Sequence, residues 1–183
     1  NPFWNIPDRI AREEIVPRAL KTPNYLIAQG IRIFKGWQTP GVEIAPHDVD
    51  WRAAGQKSFP YRLRQDPGPL NPLGQIKFMF PNQFEVYLHD TPARQLFTSN
   101  IRAFSHGCIR VERPVALAAY LLPDLSKHEL QQILSEGKRR VFHLAKAIPV
   151  HLTYLTAWVN KDRSVHFRQD IYGRDRLLPK AAW

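Results

Sequence analysis

Phe84-Glu85-Val86-Tyr87-Leu88-His89 alternates apolar and polar side chains with the two-residue period of a strand. As a strand it turns Phe84, Val86 and Leu88 to a core and leaves Glu85, Tyr87 and His89 together on the other face. That register aims His89 away from the core. A fifteen-residue spacer, positions 90–104, then leads to Ser105-His106-Gly107-Cys108-Ile109-Arg110. Extended, this second stretch puts His106, Cys108 and Arg110 on one face.

Cys108 is the single cysteine of 183 residues. Free cysteines are most often small buried core residues. Here Gly107 allows close backbone approach, while Ser105, His106 and Arg110 are polar. A lone Cys with candidate His partners is the pattern of a thiol nucleophile, so core residue and nucleophile both remain open on these neighbours. A thiol needs a base, and two histidines compete. Neighbouring side chains on one strand point in parallel, so His106 does not aim at the sulfur. A His on an adjacent strand does, which favours His89 as base and leaves His106 in support. His47 with Asp48 and Asp50 has the wrong spacing for a zinc set, and no metal is expected. His128, His143, His151 and His166 are scattered and read as surface or structural, and Glu85 as a solvated strand residue.

Outward from this centre the chain is mainly β with helices. Upstream, Tyr61 to Gln65 and Ile76 to Phe80 alternate as strands around the turn Asp66 to Gly74. Residues 1–58 form a separate lobe, rich in Pro (Pro2, Pro7, Pro17, Pro23, Pro40, Pro46) and Trp (Trp4, Trp37, Trp51). Asp8 is expected to cap a helix over Arg9 to Leu20, with Pro17 splitting it. A second short helix within Thr22 to Lys35 leads into a strand over Gly30 to Phe34, and Val42 to Trp51 has no clear period. Between the two central stretches, Thr91 to Phe104 reads as a loop with a short helical turn. Downstream, Pro114 opens a helix to Leu122. Ser126-Lys127-His128-Glu129 is a capping box for a second helix, with Gly137 as its stop. Val141 to Leu144, Val150 to Val159 and Val165 to Arg168 read as strands, the last two joined by the hairpin loop Asn160 to Arg163.

Composition narrows the function classes. The formal net charge is +10 and the pI about 10.0, which suits an anionic partner such as an acidic cell-wall polymer. No nucleic-acid-binding signature is present and no Lys/Arg run exceeds Lys138-Arg139-Arg140, so nucleic acid is not the expected partner. No apolar run reaches the roughly 20 residues of a membrane helix. The chain opens at Asn1 and is read as an excerpt or a processed product, so the lack of a targeting segment says nothing of location.

His89, the spacer and Ser105-His106-Gly107-Cys108-Ile109-Arg110 together resemble the signature of the L,D-transpeptidase (YkuD-type) family. Pro69 to Phe78 is similar to the family's strand-turn-strand before the active site. The opening Asn1 to Pro7 and the tail Pro149 to Asp175 resemble long periplasmic Gram-negative members that form 3→3 peptidoglycan crosslinks. In the family one or more core strands usually precede this lobe. Many members also have Gly after the His where this chain has Asp90.

The resemblance implies a β-sandwich, complete or lacking its N-terminal core strands, with a helical, irregular substrate-capping subdomain over residues 1–58 and the catalytic domain over 59–183. It implies catalytic roles for Cys108, His89, His106 and Gly107, with His89 oriented by the Asp90 backbone carbonyl and an oxyanion hole at the Gly107 and Cys108 N–H groups. Arg110, Ser105, Tyr87 and Asp90 are the implied substrate contacts. The partners would be donor and acceptor tetrapeptide stems and, as inhibitors, carbapenems; no cofactor is implied, and the location is periplasmic. The alternatives are a papain-like peptidoglycan endopeptidase, in which Cys normally precedes His, and a basic wall-binding module without catalysis.

Overall fold

The computed structural model describes residues 1–22, 24–36, 41–54, 59–105 and 107–177. Two compact units divide the chain, Asn1–Ala145 and Lys146–Trp183. Sheets with short helices make the architecture, with no closed barrel among the described residues.

The first sheet is antiparallel in the order β1-β4-β2-β3, built from β1 (Trp4–Asn5), β2 (Ile31–Lys35), β3 (Val42–Ile44) and β4 (Tyr61–Gln65). Alternation along β2 and β4 sends Ile31, Ile33 and Leu63 inward, each at most 5% exposed. They pack on Ile6, Ala11, Ile15, Val16, Ala19, Leu26, Val49 and Phe59, which makes this the main core. On the other face Phe34 is buried beneath three guanidiniums, those of Arg32, Arg62 and Arg64, at 5.6, 5.0 and 4.6 Å from its ring centre. Cationic stems thus cover this face of the sheet at Phe34. The sheet spans the boundary expected at residue 58, since β4 is hydrogen-bonded to β1 and β2.

The helices on the core side follow the chain's breakers. α1 (Asp8–Ile10) starts after Pro7, so Pro7 and not Asp8 is the capping position, and no side chain caps it. A π-helical turn over Ala11–Ile15 joins α1 to α2 (Val16–Lys21). Pro17 has no N–H to return to Glu13, and the widened turn ahead of it accommodates that loss. α3 (Tyr25–Ala28) leads into β2, and α4 (Trp51–Ala54) follows β3. Pro23 and Trp37 of the expected lobe lie outside the described residues.

From β4 the chain turns through 66–75. Asn71, 1% exposed, ties this turn down: its amide donates to the carbonyls of Pro2 and Asp66, and its oxygen accepts from Leu73 N–H. The turn delivers the second sheet, β5 (Lys77–Phe78), β6 (Leu88–His89) and β7 (Ile109–Arg110), in that order. β5 and β6 run antiparallel, β6 and β7 parallel.

These strands are shorter than the alternation predicts. The Asn82 side chain takes the backbone groups that a strand partner would use, donating to the Phe80 and Val86 carbonyls and accepting from Phe84 and Val86 N–H. Glu85 then adopts φ 54°, and Phe84, expected in the core, is 72% exposed.

Beyond β7 come α5 (Pro114–Leu121) and α6 (Lys127–Ser135). The capping box on α6 is present in both directions between Ser126 and Glu129, and Gly137 closes the helix with φ 67°. The expected strands at 141–144 and 150–155 do not form: a strand needs a ladder partner, and none pairs with them among the described residues. In the second unit β8 (Ala157–Val159) and β9 (Val165–Phe167) form the expected hairpin, with Trp158 stacked on His166 at 5.4 Å. Among the described residues no helix is long and apolar enough to cross a membrane.

Candidate active site

Parallel pairing of β6 with β7 brings the two sequence stretches together. Leu88 lies opposite Ile109 and His89 opposite Arg110, with Ile109 N–H donating to Tyr87 carbonyl at 3.0 Å and Val111 N–H to His89 carbonyl at 2.8 Å. Residues opposite each other share a face, so Tyr87, His89, Cys108 and Arg110 all lie on one side of the sheet. The pairing sets Tyr87 across from Cys108. Burial, and then the neighbouring Cys108, push the Tyr87 phenol well above its ordinary value, so it stays a donor. The Tyr87 and His89 rings meet edge to face, 5.9 Å between centres. Cys108 itself is half-buried.

His89 is buried, 5% exposed, and does not face solvent as its register alone suggests. β6 is the central strand of its sheet, with Lys77 and Arg110 opposite His89 on the two flanking strands and the Tyr87 ring against the imidazole. Nδ1 lies 2.5 Å from the Asp90 carbonyl oxygen. That contact makes Nδ1 the donor and leaves Nε2 as the basic nitrogen. Burial pushes the imidazole pKa down, the Asp90 carbonyl pushes it up, and the charges of Arg110 and Lys77 push it down again. The net shift is downward, which keeps the ring neutral and able to take a proton.

Asp90 is held by its carboxylate. Oδ2 accepts from Gln75 N–H at 2.8 Å, and Oδ1 from Thr91 N–H at 2.7 Å and from the Arg94 guanidinium. Asp90 is 5% exposed, and its carboxylate braces the loop that follows His89. Gly74 makes room for it: with φ 58°, a Cβ there would lie 2.4 Å from Asp90 Oδ2. Gly74, Gln75, Thr91 and Arg94 are supporting residues that sequence reading missed. Gly74 was legible only as part of the turn at 66–74, and turn chemistry gives no hint of a carboxylate partner far along the chain.

The Cys108 loop is more open. Gly107 has φ 135°, a backbone that only glycine adopts readily, and its N–H reaches Ser105 Oγ at 3.3 Å. Ser105 is exposed. His106 lies outside the described residues. The Arg110 guanidinium is half-buried, and its Nε is enclosed without a hydrogen-bond partner among the described residues. Glu85 is exposed. His47 and Asp48 are exposed and 3.5 Å apart, and no group of three or more His, Cys, Asp or Glu converges among the described residues.

The arrangement supplies a thiol, a neutral imidazole with a fixed tautomer, a phenol donor and a guanidinium on one sheet face. Comparison with known proteins gives the family. Residues 1–140 match the YkuD family model, described as the L,D-transpeptidase catalytic domain. A Haemophilus influenzae protein named "Putative L,D-transpeptidase" is 38% identical over 180 residues, covering 97% of this chain. The chain spans 36% of that relative's length. With the family match running from β1 to beyond α6, the chain belongs to the L,D-transpeptidase (YkuD) family.

Proposed function

We propose that this chain carries the centre of a cysteine L,D-transpeptidase that forms 3→3 peptidoglycan crosslinks. The observation that carries the reading is the β6–β7 register, which sets Cys108 beside Tyr87 and one row from His89. His89 Nε2 takes the thiol proton. The Cys108 thiolate attacks the carbonyl carbon of diaminopimelate, the third residue of a donor tetrapeptide stem. The C–S bond forms as the bond to D-Ala breaks, and the His89 imidazolium returns its proton to the leaving amine. The diaminopimelate side-chain amine of an acceptor stem then attacks the thioester. It gives its proton to His89, the new amide forms, and the thiolate leaves.

Three groups serve this cycle. The Cys108 and Gly107 N–H groups form the oxyanion hole, with Gly107 exchanging its long contact to Ser105 Oγ for the developing charge. The unpartnered Arg110 Nε, with the rest of its fork, takes a stem carboxylate. The lobe of residues 1–58 caps the site, and the basic chain works in the periplasm on a polymer rich in carboxylates.

Intact mass after exposure to meropenem tests the reading. One covalent adduct is expected on the 183-residue chain and none on Cys108→Ala. A folded protein that forms no adduct speaks against a transpeptidase thiol.

A further inference from the structure

The second sheet holds a row that the proposed cycle leaves partly unused. Lys77 on β5 lies opposite His89 on β6, and His89 lies opposite Arg110 on β7. Opposed residues share a face, so the imidazole has a cation on either side, one strand spacing away. The Lys77 ammonium lies 3.7 Å from the centre of the Tyr87 ring, and Tyr87 stands across from Cys108 in the β6–β7 pairing. Ammonium over an aromatic face is the cation–π arrangement.

Neither Lys77 nor Arg110 forms an ion pair with a carboxylate among the described residues. Asp90, the acid nearest this row, is bound to Arg94 and to two backbone N–H groups. A half-buried ammonium without a counter-ion is costly, and the cost falls when a neighbouring group becomes an anion. The group that becomes one here is Cys108.

We propose that Lys77 is a positioning residue of the thiol centre: stacked on Tyr87, it holds the phenol on Cys108 and supplies the positive charge against which the thiolate forms. This rests on the transpeptidase reading of Cys108 and deepens it. Electrostatics agree with the geometry. Burial pushes the Lys77 ammonium down and Cys108 pushes it back up, while Lys77 and Arg110 both push the imidazole down. The row therefore favours thiolate and disfavours imidazolium. Once His89 has taken the thiol proton, the two flanking cations drive that proton on to the leaving amine.

The charged and titratable groups facing this point are Lys77 from β5, Tyr87, His89 and Asp90 from β6 and its loop, and Cys108 and Arg110 from β7 with the residue before it. Iodoacetamide alkylation of Cys108 against pH, read by intact mass on the full chain, separates their roles without needing substrate. In Lys77→Met the midpoint is expected to rise by about half a unit to one unit, the scale of losing one nearby charge. The rate at neutral pH then falls about threefold to tenfold, in proportion to the thiolate fraction. Lys77→Arg keeps the charge and should restore most of the shift, which a packing role would not do. Tyr87→Phe, which keeps the ring under the ammonium but loses the phenol, should also raise the midpoint and stands in should Lys77→Met not fold. A displaced wild-type profile left unmoved by Lys77→Met, or by Tyr87→Phe in its place, overturns this proposal and leaves the transpeptidase reading intact. A wild-type midpoint of an ordinary thiol, indifferent to His89→Ala, overturns both.

Discussion

His89 shows how much one side chain depends on its surroundings. It is buried, tied at Nδ1 to the Asp90 carbonyl, and flanked by two cations. Its pKa lies below the ordinary value of 6.5. A lowered folded value means that the unfolded chain binds the proton first as pH falls. The stabilising contribution is therefore complete above the unfolded pKa, and it is lost as pH falls from there through the folded one. Stability is expected to rise with pH through this window in the wild type and to be flatter in His89→Gln. Urea midpoints measured across the mildly acidic range check this; parallel curves for the two proteins would contradict it. The residue types were legible in the sequence: a lone Cys, a His at strand spacing, an Arg two residues on. The burial of His89 was not, because alternation reports which face a residue is on and not what covers that face. His106, read as a support, lies outside the described residues.

At the scale of elements, the strands of the second sheet are two residues each, and their register carries the site. Asn82 helps set that register by holding both ends of the 80–86 turn. Asn82→Ala removes four hydrogen bonds at an expected cost of about 1–3 kcal/mol, since several of these groups can turn to water. Hydrogen exchange should quicken at Val86 N–H, and meropenem acylation should slow. Unchanged exchange at Val86 would show that the turn holds without its amide. Element existence followed the pattern well: β4 runs over the residues that alternation marks, and α6 begins at its capping box. Element length did not. Alternation continues back to Phe84, but a side chain competes for the ladder's hydrogen bonds there and wins. At 141–144 and 150–155 the pattern is present and the pairing, among the described residues, is not.

Across Asn1–Ala145, stability and chemistry occupy different sheets. The buried cluster belongs to the first sheet and its helices, while the candidate site stands on the second, reached through the 66–75 turn. Leu63, 1% exposed at the middle of β4, belongs to the buried cluster of the first sheet. Leu63→Ala is expected to cost roughly 2–5 kcal/mol. Adduct formation by the fraction still folded should match the wild type; a loss of acylation without a loss of fold would mean that the two sheets are coupled more tightly than their topology implies.

By itself the sequence determined the chemical types and the family: a Cys with a His one spacer upstream, a glycine where the backbone must turn, a basic surface, and strands marked by alternation. It determined these because they reside in residue identity and in short-range periodicity. Only the tertiary structure decided the company each group keeps. The Asp90 carboxylate goes inward to Gln75, Thr91 and Arg94, Lys77 lands across from His89, and the strand at 61–65 joins the sheet of the lobe before it. Those outcomes depend on register between strands far apart in the chain, and register is set by turns and competing hydrogen bonds whose partners are not sequence neighbours.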